Sequence, residues 1–299
     1  MRTVFLGTSD FAATVLERLA RSSHRPALVL TRPDRPRGRG RRLAAPPVAD
    51  AARGLGLALE QPESVNAEEA RARIAAAEPG AVCVCAFGAL IREPLLSAHP
   101  MLNVHPSLLP RWRGAAPIER AIMAGDTETG VCVMRLTAGL DSGPVAACAR
   151  ETIGPEDTYG SLSPRLAAAG AELLIGALDD APDWKEQPED GVSYAEKIAP
   201  EDRLLDPQRS ATELERRVRA LTPHVGARLE LDDGVLLGVR GACAREDGPP
   251  AGTLAAADGR LLLGCATGAL ELLEVQPPGG RAMPAADFLR GNPALGARG

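Results

Sequence analysis

The stretch that most limits the possible fold is the apolar segment Ala81-Val82-Cys83-Val84-Cys85-Ala86. A strand with one face in water alternates apolar and polar residues, whereas every residue of this segment is apolar. Such a strand is covered on both faces, as the central strands of parallel sheets are. The segment therefore predicts an α/β domain with helices on both sides of a mostly parallel sheet.

The first residues of the chain predict the opening unit of that domain. Residues 3–6 form an apolar strand, Gly7 begins a turn, and residues 11–19 carry apolar side chains at helical spacing. Strand, glycine-containing turn and helix in this order are typical of a Rossmann-like, doubly wound fold. The complete G-x-G-x-x-G pattern is missing, which disfavours a nicotinamide-dependent dehydrogenase.

The length of 299 residues favours two domains over one. Short strands separated by Asp-Gly turns follow a segment that is rich in Pro, Asp and Glu. This spacing predicts a small C-terminal β-barrel that is OB-like, which is an architecture that binds oligonucleotides. The predicted organisation is a first domain at residues 1–183, a linker at 184–205 and a second domain at 206–299.

The composition narrows the possible classes of protein. The net charge of −5 argues against a generally basic nucleic-acid coat. No segment approaches the roughly 18 uninterrupted apolar residues of a membrane span, and no secretory signal precedes the first strand, so a cytoplasmic protein is expected. The six cysteines lack zinc-finger or C-x-x-C spacing and are predicted to be small buried side chains: Cys83, Cys85, Cys132, Cys148, Cys243 and Cys265.

Residues 31–43 contain six arginines and only one acid. Pro and Gly interrupt this segment, which predicts a long mobile loop at the carboxyl end of the second strand. Ligands of α/β sheets usually bind at that end of the strands. The segment is either a charged loop that favours solubility or a contact for phosphate groups, and the excess of arginine in an acidic protein favours phosphate.

The candidate chemistry lies between residues 102 and 144. Asn103 and His105 are two residues apart, so an extended backbone points both side chains to one side. With Asp141 from a later turn, they provide an oxyanion donor, a proton carrier and a carboxylate that orients it. Each residue also has a purely structural explanation. Ser107 lacks the G-x-S-x-G context of a nucleophile, and the ligands are too few for a metal site.

A longer motif surrounds these residues and resembles the signature of the folate-dependent formyltransferases. That family includes glycinamide-ribonucleotide, methionyl-tRNA and sugar-amine formyltransferases, and formyltetrahydrofolate hydrolases. The residues that carry the resemblance are His105-Pro106-Ser107-Leu108-Leu109-Pro110, Arg113-Gly114, Pro117 and Leu140-Asp141-Ser142-Gly143-Pro144. Further stretches resemble the members that formylate methionyl initiator tRNA: Gly7-Thr8-Ser9-Asp10-Phe11, Pro33-Asp34-Arg35-Pro36, Tyr194-Ala195-Glu196-Lys197-Ile198 and Ala285-Ala286-Asp287-Phe288-Leu289-Arg290-Gly291.

The resemblance implies an enzyme that transfers a formyl group from 10-formyltetrahydrofolate to methionyl initiator tRNA without a metal, and a monomer is expected. It matches Asn103, His105 and Asp141 to the catalytic residues. The implied folate contacts are Phe87, Gly88, Ala89, Leu90, Ile91, Ser107, Leu108, Leu109, Pro110, Thr137, Gly139 and Leu140. The implied tRNA contacts are Arg35, Arg37, Arg39, Arg41 and Arg42.

Three alternatives remain open from the sequence. A related enzyme could formylate a sugar amine or a nucleotide, and a hydrolase of the same family could release formate to water. A non-catalytic RNA-binding protein on an α/β scaffold would bind RNA without binding folate. The arginine-rich segment and the predicted C-terminal barrel favour a tRNA acceptor.

Overall fold

The computed structural model describes residues 1–37, 42–180, 182–231 and 234–292. Its helices are α1 (Asp10–Leu19), α2 (Pro47–Gly54), α3 (Glu68–Ala76), α4 (Leu95–Ala98), α5 (Pro117–Ala124), α6 (Tyr159–Asp179), α7 (Ala211–Leu221) and α8 (Ala285–Gly291), with a 3-10 helix at Glu201–Arg203. Its strands are β1 (Thr3–Gly7), β2 (Pro26–Leu30), β3 (Arg35–Arg37), β4 (Arg42–Ala44), β5 (Leu59–Glu60), β6 (Ala81–Cys85), β7 (Met101–His105), β8 (Arg113–Gly114), β9 (Glu128–Arg135), β10 (Val145–Thr152), β11 (Tyr194–Ala195), β12 (Ala227–Glu230), β13 (Leu236–Arg245), β14 (Leu254–Ala257), β15 (Arg260–Gly264), β16 (Ala269–Gln276) and β17 (Met283–Pro284).

The chain forms two compact units. The first comprises Met1–Pro117, Glu128–Thr152 and Ser163–Ala195, and the second comprises Ile118–Thr127, Ile153–Leu162 and the residues from Glu196 onward. The first unit contains a sheet of seven strands in the order β10-β9-β7-β6-β1-β2-β5. The five strands β5, β2, β1, β6 and β7 are parallel to one another. Strand β9 is antiparallel to both of its neighbours, β7 and the edge strand β10. The mostly parallel, Rossmann-like sheet is thus confirmed.

Local sequence explains the centre of this sheet. Strand β6 is buried along its whole length, as its unbroken apolar sequence predicts. Helix α1 begins after Ser9, whose Oγ accepts a hydrogen bond from the Ala12 N–H at 3.3 Å. This cap satisfies one of the free N–H groups of the first turn. The helix then buries Phe11, Val15, Leu16 and Leu19, the face that the helical spacing predicts.

The cysteine prediction was wrong for one pair. Cys132 on β9 lies directly opposite Cys148 on β10, with Cα atoms 4.1 Å apart, and the two form a disulfide bond. Facing residues of an antiparallel pair have close Cβ atoms, but a separation of 16 residues gives no sign of that register. Cys83, Cys85 and Cys265 are buried free thiols as predicted, and burial raises the pKa of Cys83 to about 12.

The arginine-rich segment is more regular than its Pro and Gly content predicts. Strands β3 and β4 pair antiparallel, with Pro36 opposite Leu43. Proline is compatible with such a pair because a two-stranded sheet has only edge strands. The prediction of a loop without regular structure was therefore wrong for residues 35–37 and 42–43, whereas residues 31–34 do lack regular structure and residues 38–41 lie outside the described residues.

The second unit contains an antiparallel sheet in the order β12-β13-β16-β15-β14, with β17 paired to β16. Helix α7 starts with a capping box between Ser210 and Glu213 and buries Leu214, Val218 and Leu221 in the same core as the sheet. The predicted C-terminal antiparallel domain is confirmed. Within the described residues β12 and β14 are unpaired with each other, so the closure of a barrel stays a prediction. No helix in the described parts of the chain is both long and apolar enough to cross a membrane.

One charged pair stabilises the start of the second unit. Arg120 donates to both carboxylate oxygens of Asp202 at 3.0 and 2.7 Å, and the Ala199 N–H donates to the same carboxylate at 3.0 Å. The hydrogen bond from Arg120 is the main reason that the pKa of Asp202 lies below its usual range. A carboxyl group with a lowered folded-state pKa stabilises the fold above its ordinary pKa and loses that effect as the pH falls through the folded-state value.

We expect Asp202→Asn to lower the free energy of unfolding at neutral pH by about 1.5–3 kcal/mol, the range for hydrogen bonds to charged groups. The difference from wild type should shrink toward roughly pH 3, where an ordinary Asp becomes protonated. Urea unfolding across this pH range measures both effects. Asp180→Asn, at an exposed position, is the matched control and should unfold like wild type. Equal stability of wild type and Asp202→Asn at neutral pH would contradict the prediction.

Candidate active site

Asn103 and His105 project from the same side of β7, as their spacing predicts. Strand β7 is held between β6 and β9, with Asn103 opposite Met134 and His105 opposite Cys132. Both polar side chains are buried, at 8% and 4% exposure. Among the described residues no hydrogen bond engages the Asn103 amide, so its N–H groups are available to a substrate.

The ring of His105 lies between two oxygen atoms. Its Nε2 donates to the carbonyl of Trp112 at 2.9 Å, and its Nδ1 lies 3.6 Å from Oδ2 of Asp141. A neutral imidazole donates from only one nitrogen, whereas the protonated ring donates from both. The Trp112 carbonyl therefore places a proton on Nε2, and Nδ1 faces the Asp141 carboxylate across a distance longer than a hydrogen bond. The structure thus brings His105 and Asp141 together although 36 residues separate them in the sequence.

The Asp141 carboxylate is held by the loop that follows β7. Its Oδ2 accepts a hydrogen bond from the Gly114 N–H at 2.9 Å. Gly114 has φ of 124°, and a Cβ atom there would lie 2.7 Å from the carbonyl oxygen of Ala195. Only glycine avoids both the strained φ and this close approach. Gly114 of the motif is therefore explained by its backbone conformation and by the nearby Ala195 carbonyl, and its N–H holds the Asp141 carboxylate.

Residues 184–195, which the sequence places in a linker, form part of the first unit and support the site. Strand β11 pairs with β8, and Ser193 Oγ accepts from the Trp112 N–H at 3.0 Å. Gln187 bonds to Arg113 and to the backbone of the Asp141 turn. This support could not be predicted from the sequence, because a segment rich in Pro, Asp and Glu has no periodicity that marks buried contacts.

The predicted folate contacts fall into three segments. In residues 87–91, Thr8 Oγ1 donates to the Phe87 carbonyl at 2.7 Å, Phe87 and Ile91 join the core, and Leu90 is 65% exposed. Gly88, with φ of 72°, has open space where a Cβ would lie, and Ala89 is half-buried. In the Thr137–Leu140 segment, Leu140 is 60% exposed and Gly139 is also exposed.

The third segment, Ser107 to Pro110, is more enclosed. The Ser107 side chain is fully buried, and its hydroxyl donates to the Arg111 carbonyl at 2.6 Å. This bond shapes the loop, so Ser107 is no nucleophile here, and its folate contact stays a prediction. Leu108, Leu109 and Pro110 are half-buried.

Of the predicted tRNA contacts, Arg35 is exposed and lies 3.8 Å from Glu63. The backbones of Arg37 and Arg42 face each other across the β3–β4 pair, and their side chains lie outside the described structure. Arg39 and Arg41 lie outside the described residues altogether. No group of three or more His, Cys, Asp or Glu side chains in the described ranges could hold a metal ion.

Comparison with known proteins places this site in a family. A family model described as formyl transferase matches residues 1–178, and a second, described as formyl transferase, C-terminal domain, matches residues 197–293. The methionyl-tRNA formyltransferase of Halorhodospira halophila is 46% identical over 299 residues, which is 97% of this chain and 96% of that protein. The chain therefore belongs to the formyltransferase family, in the branch of the methionyl-tRNA formyltransferases.

Two solved structures share the fold. Methionyl-tRNA formyltransferase from Clostridium thermocellum aligns with a TM-score of 0.62 at 12% identity, over 83% of this chain and 95% of that chain. HypX from Aquifex aeolicus in complex with tetrahydrofolic acid aligns with a TM-score of 0.64 at 18% identity, over 97% of this chain and 47% of that chain. At these identities the likeness supports the fold alone.

Proposed function

We propose that this chain transfers the formyl group of 10-formyltetrahydrofolate to the α-amine of methionyl initiator tRNA. The observation that carries the proposal is the group of buried Asn103, buried His105 and half-buried Asp141, in which an unused amide and an imidazole project from the same side of one strand and the imidazole faces a carboxylate. This set of side chains suits direct attack of an amine on a formyl carbon, because it stabilises charge and moves protons without a covalent enzyme intermediate.

Each side chain has a distinct task in this reaction. The free N–H groups of Asn103 donate to the formyl oxygen as it gains negative charge during amine attack. The protonated ring of His105 places a positive charge beside the same oxygen. Asp141 faces that ring at Nδ1 and accepts the proton that leaves the attacking amine. When the bond between the formyl carbon and the folate nitrogen breaks, Asp141 returns this proton to the departing nitrogen. The Trp112 carbonyl occupies Nε2, so the proton path of His105 runs on the Asp141 side.

The residues around the site fit a folate donor, which supplies the activated formyl group. The large apolar side chains of Leu90 and Leu140 are 65% and 60% exposed, so they are available to an apolar ligand surface. They come from the two segments that the family motif assigns to folate. The open space at Gly88 admits a planar ring close to the backbone.

The charge distribution supports a tRNA acceptor. Besides the arginine-rich segment, the second unit groups Arg203, Arg228 and Arg240, and burial together with the two neighbouring cations lowers the pKa of Arg203. Clustered arginines in an acidic protein match a phosphate backbone.

We include in the proposal an OB-like closure of the second unit's sheet, domain bounds at residues 1–183, 184–205 and 206–299, a monomeric state and a cytoplasmic location.

We expect that replacing Arg39, Arg41 and Arg42 by Gln weakens tRNA binding, because each lost phosphate contact removes favourable counterion release. The slope of log affinity against log salt concentration should fall by about 0.7–0.9 for each lost contact. Binding titrations at several salt concentrations measure both values.

A control must remove the same net charge elsewhere. Arg18, Arg53 and Arg73 lie on α1, α2 and α3 and pair with acidic side chains, so their triple Gln variant is suitable. It should retain most of the affinity and the salt slope. Equal losses in the two triple variants would mean that the effect comes from overall charge, and the β3–β4 segment would not be a phosphate contact.

The proposed activity is tested by offering several acceptors to the enzyme with 10-formyltetrahydrofolate: methionyl initiator tRNA, a nucleotide-linked amino sugar, and water alone. Formyl transfer to the tRNA alone is the expected result. Formylation of the sugar, or release of formate in the absence of an acceptor, would assign the chain to a related enzyme. Binding of tRNA without binding of a folate analogue, measured by calorimetry, would identify a non-catalytic RNA-binding protein.

A further inference from the structure

The side chain of Gln187 hydrogen-bonds both to the side chain of Arg113 and to the backbone of the turn that contains Asp141. Its Nε2 donates to the carbonyl of Asp141 at 2.9 Å and to the carbonyl of Gly143 at 2.8 Å. Its Oε1 accepts from Nε and Nη2 of Arg113 at 2.9 and 2.7 Å. Carbonyls only accept and a guanidinium only donates, so the partners fix the orientation of the amide.

These four hydrogen bonds close a ring through the site. Arg113 precedes Gly114, whose N–H donates to Asp141 Oδ2 at 2.9 Å. Asp141 is therefore held twice, at its carboxylate by Gly114 and at its backbone carbonyl by Gln187. The backbone of Asp141 has φ of 44°, a left-handed conformation that surrounding contacts must maintain in a residue other than glycine.

We propose that Gln187 is a positioning residue for formyl transfer. Its amide holds the Asp141–Gly143 turn against Arg113 and thereby keeps the Asp141 carboxylate opposite the His105 ring. This inference rests on the proposed function, because it assigns Gln187 to the geometry of that reaction. Gln187 is only half-buried and comes from a segment outside the family motif. Its role follows from its hydrogen bonds alone.

The side-chain chemistry supplies a sharp variant. Gln187→Glu keeps the size of the side chain and the acceptor for Arg113, but it replaces the NH₂ donor with a carboxylate oxygen that faces two carbonyls. Gln187→Met keeps the approximate shape and removes both kinds of contact. Gln208→Glu makes the same chemical change at an exposed position of the second unit and is the matched control.

We expect Gln187→Glu and Gln187→Met to lower kcat by about tenfold, because a small displacement of a catalytic group costs much of its effect. The KM values for methionyl-tRNA and for 10-formyltetrahydrofolate should stay within about twofold of wild type. The reason is that the variants leave the contacts that bind the substrates in the ground state unchanged. Thermal unfolding of all three variants reports whether they are folded.

The decisive comparison is a double-mutant cycle with Asp141→Ala, measured as single-turnover transfer with enzyme in excess. If Gln187 acts through Asp141, Gln187→Glu causes no further loss in the Asp141→Ala background. The same fold-loss in both backgrounds, a raised KM at unchanged kcat, or wild-type kcat in Gln187→Glu would overturn the inference. Failure of the proposed function is a different outcome, because wild type and Gln208→Glu would then also fail to formylate the tRNA.

Discussion

His105→Ala lowers the rate of formyl transfer by about 10²–10⁴, the range for loss of a general acid–base group. The reason is that the ring carries both the positive charge beside the formyl oxygen and the proton shared with Asp141. Steady-state kinetics with methionyl initiator tRNA and 10-formyltetrahydrofolate measure the loss. We expect most of it in kcat, since His105 is 4% exposed and offers little surface for ground-state binding.

His99→Ala provides a control for the histidine substitution. His99 lies at the end of α4, is half-buried and belongs to the same unit as His105. The control should transfer the formyl group at the wild-type rate. If His105→Ala folds and turns over within a few fold of wild type, the imidazole has no catalytic role and the proposed mechanism is wrong.

Asn103→Ala is expected to lower kcat by about 10²–10³, as removal of one oxyanion donor does in other acyl-transfer enzymes. The buried amide has no hydrogen-bond partner among the described residues, so its removal leaves no protein group unpaired. The loss should therefore appear in the transition state, with little change in stability. Rate measurements combined with urea unfolding separate the two effects.

Asn103→Asp is the informative companion to Asn103→Ala. The side chain has nearly the same shape, but it presents a charged acceptor where the amide presents a donor. We expect a loss at least as large as that of Asn103→Ala, because the carboxylate repels the developing oxyanion. Retention of near-normal kcat by Asn103→Asp would show that the formyl oxygen does not bind at this position.

Periodicity and burial made the first unit predictable. The apolar run of β6 must be covered on both faces, and an amphipathic helix such as α1 can cover one of them. A parallel sheet with helices packed against it therefore follows from local sequence. The i, i+2 spacing placed Asn103 and His105 together for the same reason. The meeting of His105 with Asp141 required the family motif, because spacing along the chain carries no information about contacts between distant turns.

The features that sequence could not predict depend on contacts between distant residues. The Cys132–Cys148 bond arises from the register of β9 and β10, which neither strand specifies alone. Gln187 lies in a polar segment, and its four hydrogen bonds exist only when the folded chain brings Arg113 and the Asp141 turn to it. The need for glycine at position 114 could not be predicted for a similar reason. The atom that a Cβ there would approach too closely belongs to Ala195, which is distant in the sequence.

The most direct test of the central claim compares two acceptors that carry the same amino acid. Wild-type enzyme is given 10-formyltetrahydrofolate with methionyl initiator tRNA or with methionyl elongator tRNA, and formyl-methionine is measured over time. The proposed function predicts rapid formylation of the initiator tRNA and far slower formylation of the elongator. Equal rates on the two tRNAs, or transfer to neither, would contradict it.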